Sequence, residues 1–151
     1  MPSPRRFPRA DRRLGFAAAL AAPLLLAAGT ADADVVARVS IEAQQMTVFV
    51  DGVARYDWAV STARRGYITP TGTFRPIRMN AMWRSRKYDN APMPFSVFFH
   101  GGYAVHGTEH LRALGTPASH GCVRLAPENA RALYSLVSDQ GMDHVSIVIT
   151  R

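Results

Sequence analysis

The sequence contains a single cysteine, Cys122, among its 151 residues. One cysteine excludes an internal disulfide, so this fold has to be held by its core. In an exported protein an unpaired cysteine is either a bonding partner for another chain or a reactive thiol. A third alternative is a small buried side chain that packs like a hydrophobe. The residues around Cys122 have to decide among the three.

Long apolar runs are also lacking. The longest, residues 14–28, holds 15 residues and is interrupted by glycine and proline, whereas a helix that spans a bilayer needs about 20. An arginine-rich stretch precedes this run, and Ala31-Asp32-Ala33 follows it with small residues suited to cleavage. We therefore predict a signal peptide at residues 1–33 and a mature domain at residues 34–151. Export to the periplasm or cell wall, with cleavage near Ala33 and no permanent membrane anchor, is expected.

Acidic residues are few, with 11 Asp and Glu against 18 Lys and Arg, for a net charge of +7. Cleavage of the predicted signal peptide would remove five arginines and two aspartates and leave +4. Within that peptide, Arg12-Arg13 leaves general and twin-arginine export both open. The remaining charge is scattered, as on a solvated surface, and predicts no nucleic-acid partner. Attraction to an acidic polymer or peptide stays open.

Alternating apolar residues, typical of half-buried strands, begin the mature domain at residues 35–41, 46–50 and 53–60. Asp51-Gly52 separates the second and third runs. Because both residues tolerate positive φ, this pair predicts a tight hairpin of type I′. Three strands joined this way indicate an antiparallel start to a sheet.

The next part of the chain is less regular. Residues 61–73 contain turn residues and predict a loop, and residues 74–79 resume an extended pattern in which Pro76 favours an edge strand. Residues 81–94 are polar and aromatic with two prolines near the end. That composition predicts a long ordered loop or lid.

The last third predicts two strands, a helix and a final strand. Residues 95–100 and 103–106 read as a strand pair with Gly101-Gly102 as the turn. Residues 127–140 have helical apolar spacing with proline at the start and glycine after the end. Residues 145–149 form the closing strand. The predicted fold class is mainly β, a sandwich or barrel-like domain, with one or two short helices.

Chemically active residues concentrate in two neighbouring segments, residues 105–108 and 119–125. The second contains Cys122, whose thiol becomes a strong nucleophile only when a neighbouring group takes its proton or stabilises the anion. His106 and His120 are both candidates for that group. Gly121 allows a substrate carbonyl to approach the backbone, whose N–H groups stabilise an oxyanion.

These segments resemble the signature of the L,D-transpeptidase catalytic domain family, also called YkuD. The motif consists of His106-Gly107-Thr108 followed by Ser119-His120-Gly121-Cys122-Val123-Arg124-Leu125. The resemblance covers residues 36–150 and includes residues 60–62, 69–74 and 129–134. One departure is Ala63, where the family commonly has glycine, so the shape of that loop is not predicted.

The resemblance implies a role for each motif residue. Cys122 is the thiolate that attacks a peptide carbonyl and holds the acyl group as a thioester. His106 accepts and donates the proton, and the backbone carbonyl of Gly107 orients its ring. This implication ranks His106 above His120 as the base, which spacing alone leaves open.

The other motif residues are implied to bind the substrate. The backbone N–H groups of His120, Gly121 and Cys122 are expected to form the oxyanion hole. Ser119 and Arg124 are grouped with the oxyanion and substrate-binding residues. Arg124 is a candidate to hold a substrate carboxylate, and bracing of its loop is an equal alternative.

The implied reaction starts from a peptidoglycan tetrapeptide stem, cleaved between its third residue, a diamino acid, and terminal D-alanine. The acceptor is a second stem, giving a 3,3 cross-link, an outer-membrane lipoprotein, giving attachment, or water. The sequence does not choose among these, and no cofactor is expected.

Two rival functions belong to other classes. A metal site is suggested by the i, i+4 spacing of His106 and His110, but the glutamate of a zincin motif is missing. We therefore predict no metal site. A wall-binding module without catalysis is the second rival, and the intact Cys122 and His106 argue against it.

Overall fold

The computed structural model describes residues 34–151. The predicted signal peptide, residues 1–33, lies outside the described residues and stays a prediction, as does export. Within the described part of the chain, no helix is long and apolar enough to cross a membrane.

The first sheet has five strands. They are β1 (Val35–Ser40), β2 (Gln45–Val50), β3 (Val53–Ala59), β4 (Gly72–Phe74) and β9 (Val145–Thr150). Their order across the sheet is β3-β2-β1-β9-β4. The pair β1 and β9 is parallel, whereas β1–β2, β2–β3 and β4–β9 are antiparallel. The last strand of the chain therefore lies beside the first.

The Asp51-Gly52 hairpin is confirmed. It joins β2 to β3, and the two residues have φ of 52° and 75°. Asp51 tolerates this left-handed conformation better than most residues and glycine adopts it without cost, so the two-residue turn fits the twist of the strands.

The second sheet has four strands, β5 (Arg78–Ser85), β6 (Ala91–His100), β7 (Tyr103–Gly107) and β8 (Val123–Leu125), in that order. β5, β6 and β7 are antiparallel neighbours, whereas β7 and β8 run parallel. The helix α1 (Pro127–Gln140) follows β8, and short 3₁₀ helices cover Leu111–Ala113 and Met142–His144. The predicted helix bounds and the mainly β class are confirmed.

One apolar core joins both sheets and the helix. It contains alternate residues of β1 and β9, of β6 to β8, and one face of α1. The helix contributes Ala130, Leu133 and Val137, which its 3.6-residue period places on one side. Because β7 and β8 have one face in this core, their other face is left for a cleft.

The prediction of a long loop at residues 81–94 is wrong. β5 and β6 form a hairpin there, with the turn at residues 86–90. The two prolines that suggested a loop pair with β5 in the first half of β6, whereas β7 pairs only from Val97 onward. One edge of the first half of β6 is therefore unpaired. Proline has no backbone N–H to donate, so it is tolerated where no neighbouring strand needs that bond. The predicted strand at residues 74–79 is likewise divided, because residues 75–77 belong to neither β4 nor β5.

Candidate active site

Two short parallel strands determine where the motif residues point. Val105 of β7 pairs with Val123 at the start of β8, and both side chains are buried in the core. Because side chains alternate along extended backbone, the adjacent residues His106 and Cys122 point to the opposite face. Both line one cleft of about 890 Å³, together with Arg124. The fold thus brings together three residues that are up to 18 positions apart.

The His106 ring is almost fully buried, with 5% of its surface exposed. Its Nδ1 lies 2.7 Å from the Gly107 carbonyl oxygen. A carbonyl oxygen only accepts, so Nδ1 carries the proton and Nε2 of the neutral ring is an acceptor. Burial lowers the pKa of His106 from 6.5 to about 4, although the Gly107 contact opposes this, and the charge of Arg124 also lowers it. At neutral pH this imidazole is therefore uncharged and able to accept a proton.

Cys122 is half-buried and not in a disulfide. Burial raises the pKa of its thiol, and a backbone hydrogen bond with Ala104 and the charge of Arg124 offset this only in part. A raised thiol pKa beside a lowered imidazole pKa favours the neutral pair in the free protein. In the free protein Cys122 is therefore favoured as a neutral thiol, whereas the resemblance implied a thiolate.

Low pH is expected to destabilise the fold because the buried His106 ring resists protonation. Its pKa is about 4 in the folded protein against 6.5 for an ordinary histidine, so the unfolded chain binds the proton first as pH falls. This contribution is complete above about pH 6.5 and is lost towards about pH 4, a loss of about 3 kcal/mol in the free energy of unfolding. Urea titrations across that pH range measure it.

The matched variants for that experiment are His106→Gln and His110→Gln. The His110 side chain is exposed on the surface, so its removal should leave the pH dependence as in the wild type. His106→Gln should flatten it. An unchanged slope in His106→Gln would assign the acid sensitivity to another group.

Two buried hydroxyl groups brace the loop that carries Cys122. The Ser119 hydroxyl donates to the Cys122 carbonyl oxygen at 2.6 Å and accepts from the Gly121 N–H at 2.9 Å. The Thr69 hydroxyl donates to the Gly121 carbonyl oxygen at 2.9 Å and accepts from the Ala63 N–H at 2.9 Å. These bonds direct both hydroxyl groups into the protein. Ser119, predicted with the substrate-binding residues, is used here to hold the loop.

The Ser119 bond also changes the expected oxyanion hole. The Gly121 N–H is one of the three donors implied by the resemblance, and in this conformation it donates to Ser119. The backbone N–H groups of His120 and Cys122 are the remaining candidates. Their part in stabilising an oxyanion stays a prediction.

Gly121 occupies a position that only glycine fits. Its φ of +128° lies in a region that other residues rarely adopt. A Cβ there would collide with the Tyr103 ring and would lie 2.8 Å from the Ile68 carbonyl oxygen. The backbone beside Cys122 therefore packs closely on two neighbours, which restricts the position of Cys122.

Gly121→Ala is expected to lower the free energy of unfolding by about 3 kcal/mol, through backbone strain and the collision together. Gly115→Ala is the matched control, since Gly115 also has positive φ, +87°, but nothing lies within 4 Å of an added Cβ. That variant should lose only about 1 kcal/mol. Thermal unfolding of both variants and of the wild type measures the two losses of unfolding free energy. Equal losses would mean that strain alone, without the close approach, selects glycine at this position.

His120 joins two loops across the cleft. Its Nε2 lies 2.7 Å from Arg64 Nη2, the Tyr88 ring stacks on it with 4.2 Å between centroids, and Tyr67 packs edge-on at 4.7 Å. Arg64 only donates, so Nε2 of His120 is the acceptor of that bond. Burial and then the charge of Arg64 lower the pKa of His120. With this nitrogen already engaged, His120 is less suited than His106 to serve as the base.

Arg124 points into the cleft from β8, opposite His106 on β7. Its backbone N–H and carbonyl bond with Ser61 at 2.9 and 3.0 Å, so the main chain already ties this strand to the loop. Its guanidinium has no hydrogen-bond or ion-pair partner among residues 34–151. A half-buried cation of this kind is available to an anion that enters the cleft.

The comparison with protein families shows which family this domain belongs to. The family model of the L,D-transpeptidase catalytic domain, YkuD, matches residues 34–148. The chain belongs to the L,D-transpeptidase catalytic domain family. The resemblance seen in the motif residues is thereby confirmed.

Solved L,D-transpeptidases share the fold. One from Mycobacterium smegmatis is 26% identical with a TM-score of 0.69, and the match covers 79% of this chain and 59% of that one. One from Mycobacterium tuberculosis H37Rv is 24% identical, with a TM-score of 0.72 and coverages of 79% and 58%. L,D-transpeptidase 3 from Mycobacterium tuberculosis, in complex with a faropenem-derived adduct, is 23% identical, with a TM-score of 0.69 and coverages of 79% and 61%. This chain thus spans about three fifths of the length of these proteins. No curated protein sequence matches it.

In this L,D-transpeptidase domain the two histidines whose spacing suggested a metal site, His106 and His110, do not share a helix. His106 lies on the strand β7, and His110 follows in a loop before a 3₁₀ helix. The two side chains therefore lack the shared helical face that i, i+4 ligands need. Among residues 34–151, no group of three or more His, Cys, Asp or Glu side chains is placed to hold a metal ion.

Sequence reasoning missed the cleft residues of this L,D-transpeptidase domain that lie far from the motif. Trp83 and Tyr88 of the β5–β6 hairpin and Phe98 of β6 line the cleft, although aromatic residues in a small β domain are more often core. Arg78 lines it too. The only signal was the mixture of aromatic and basic residues between positions 83 and 88, which does not distinguish a cleft wall from a surface loop.

Proposed function

We propose that this chain is a peptidoglycan L,D-transpeptidase in which Cys122 is the nucleophile and His106 the general base. The proposal rests on one observation. The two side chains lie on the same face of the β7–β8 pair, in one cleft, and the Gly107 carbonyl oxygen orients the His106 ring. The acyl donor is a tetrapeptide stem, attacked at the carbonyl of its third residue.

The reaction begins from the neutral pair. As Sγ of Cys122 forms a bond to the carbonyl carbon, its proton passes to Nε2 of His106. The backbone N–H groups of His120 and Cys122 stabilise the oxyanion. When the carbon–nitrogen bond to D-alanine breaks, His106 gives the proton to the departing nitrogen, and a thioester remains on Cys122.

The second half returns the protein to its starting state. An acceptor amine attacks the thioester, and its proton passes to Nε2 of His106. The carbon–sulfur bond breaks, and Sγ of Cys122 recovers the proton from His106. The same residue therefore acts as base and then acid in each half, which requires the imidazole to be neutral at the outset, as its lowered pKa favours.

The charge of the cleft suits this donor. Its lining includes four cationic side chains, those of Arg78, Arg86, Lys87 and Arg124, against two acidic ones, those of Asp89 and Glu109. Arg124 lies two residues after the nucleophile on the same face, so its guanidinium is placed for the carboxylate of the D-alanine leaving group. This favours a substrate-binding role for Arg124 over a bracing role.

The relatives point to the same chemistry. L,D-transpeptidase 3 from Mycobacterium tuberculosis was solved with a faropenem-derived adduct, and another L,D-transpeptidase was solved in complex with imipenem. Those β-lactams carry a strained carbonyl open to attack by a nucleophile. We extend this behaviour to Cys122 and expect carbapenems to acylate it.

Three acceptors remain, a second stem, a lysine of an outer-membrane lipoprotein, or water. Incubation of the protein with purified disaccharide tetrapeptide, followed by mass spectrometry, distinguishes a cross-linked dimer from a tripeptide. Addition of a lipoprotein tests attachment. Release of D-alanine is expected with each acceptor, and a tetrapeptide that remains unchanged both alone and with the lipoprotein would contradict the proposed function.

We place this activity outside the cytoplasmic membrane, in the periplasm or cell wall. The basic, apolar and small-residue order of residues 1–33 supports export with cleavage near Ala33. Determination of the N-terminus of the exported protein tests this, with Asp34 expected as its first residue. A mature protein that retains Met1 would contradict it.

A further inference from the structure

Arg78 lies on the same face of the second sheet as Cys122, three strands away from it. Arg78 on β5 pairs with Phe98 on β6, and Phe98 pairs with Ala104 on β7. Ala104 contacts Cys122, because their strands continue the parallel register of β7 and β8. Arg78, Phe98, Ala104 and Cys122 thus form one row across the floor of the cleft.

Aromatic rings hold the Arg78 side chain in that row. Its guanidinium carbon lies 3.8 Å from the centre of the Phe98 ring and 4.4 Å from that of Trp83. The two rings meet edge to face, with 5.6 Å between centroids and 85° between planes. These rings contact the guanidinium without accepting conventional hydrogen bonds from it, so its N–H groups stay available to an anion.

The protein itself offers Arg78 no such anion. Among residues 34–151, no carboxylate lies within ion-pair distance of this guanidinium, and no hydrogen bond satisfies it. Its partners are the two rings alone. Arg78 is exposed to solvent, and the two ring contacts restrict its side chain before any ligand arrives, so less conformational entropy is lost when its N–H groups bind a carboxylate.

The distance from the nucleophile limits which carboxylate fits. Three strand spacings separate Arg78 from Cys122, roughly 14 Å at about 4.8 Å each. The guanidinium leans over Phe98 towards Cys122 and shortens this by about one spacing, to roughly 10 Å. A carboxylate paired with the guanidinium stands about 3 Å from it, which leaves roughly 7 Å to Cys122. Extended peptide covers about 3.4 Å per residue, so this distance corresponds to roughly two residues.

We propose that Arg78, packed against Phe98 and Trp83, binds a second carboxylate of the acyl donor, roughly 7 Å from the scissile carbonyl. This rests on the proposed function and deepens it, because it makes the domain selective for donors with a free acid at that distance. Two donor groups have the chemistry, the carboxylate of the acidic residue before the diamino acid and the carboxylate at the far end of the diamino acid. Arg124 and Arg78 would then hold the two ends of one donor on either side of Cys122.

The test compares four tetrapeptide donors. In one, both of these carboxylates are free; in two others, one or the other is converted to a carboxamide; in the fourth, both are. For the wild type, kcat/KM should fall about tenfold when the carboxylate that Arg78 binds becomes an amide, the size expected for one charge-assisted hydrogen bond. The single amides identify which of the two carboxylates it is. Release of D-alanine reports turnover for every donor.

Arg78→Gln should lower kcat/KM for the free-acid donor about tenfold. It should leave kcat/KM unchanged for the donor whose Arg78-binding carboxylate is an amide, so that the variant no longer prefers the free acid. Arg38→Gln is the matched control, because Arg38 also stacks on a phenylalanine, with 5.1 Å to the Phe49 ring, but does not line the cleft. It should keep the wild-type preference.

Equal turnover of acid and amide donors by the wild type would overturn the inference and leave the proposed function standing, and this result needs no variant to fold. A preference that persists in Arg78→Gln would overturn the assignment to Arg78. If no donor releases D-alanine, the proposed function fails and this inference fails with it.

Discussion

Cys122→Ala is expected to lower turnover of the tetrapeptide donor by about 10⁴-fold or more, because the substitution removes the only thiol of the chain. The Ser119 hydroxyl, also in the motif, already donates to the Cys122 carbonyl oxygen and accepts from the Gly121 N–H. Measured release of D-alanine gives the loss.

The variant should still fold and bind. The Cys122 side chain is small and only half-buried, so its loss should cost no more than about 2 kcal/mol of unfolding free energy. Calorimetric binding of the tetrapeptide should persist, since the cationic lining of the cleft is unchanged. Substantial D-alanine release by a folded, pure Cys122→Ala preparation would contradict covalent catalysis by this residue.

His106→Gln is expected to lower the rate of acylation by about 10³-fold, within the range that general bases contribute. The glutamine side chain fills much of the same buried space but has no basic nitrogen to accept the Cys122 proton. The rate of carbapenem addition, followed by stopped-flow absorbance at neutral pH, measures this step directly.

His120→Gln is the matched control for that rate. The His120 ring is engaged by Arg64 and stacked on Tyr88, so its loss should loosen the two loops and slow acylation by no more than about tenfold. Similar losses in both variants would mean that His106 is not the principal base. A larger loss in His120→Gln would reverse their ranking.

The sequence predicted the parts of the fold where local chemistry and tertiary packing agree. Asp51-Gly52 fits only a tight turn between its strands, and Pro127 with Gly141 encloses a stretch of helical spacing. The β5–β6 hairpin was missed because its prolines are tolerated by an edge that becomes unpaired only in the finished sheet. Local pattern carries no information about which edge that is.

The candidate site shows the same division. The motif itself indicated Cys122 and His106, and the structure places both in one cleft. The hydrogen bond from the Gly121 N–H to the Ser119 hydroxyl could not be predicted, because it depends on the conformation of the loop. The position of Arg78 in the same row as Cys122 could not be predicted either, because it arises from the register of three strand pairs.

Formation of an acyl-enzyme on one sulfur atom is the central claim, and intact mass spectrometry after incubation with a carbapenem tests it most directly. The whole protein should gain the mass of one inhibitor molecule, and proteolytic mapping should locate that mass on the peptide that contains Cys122. A protein whose mass does not change, or an adduct on any other residue, would contradict it.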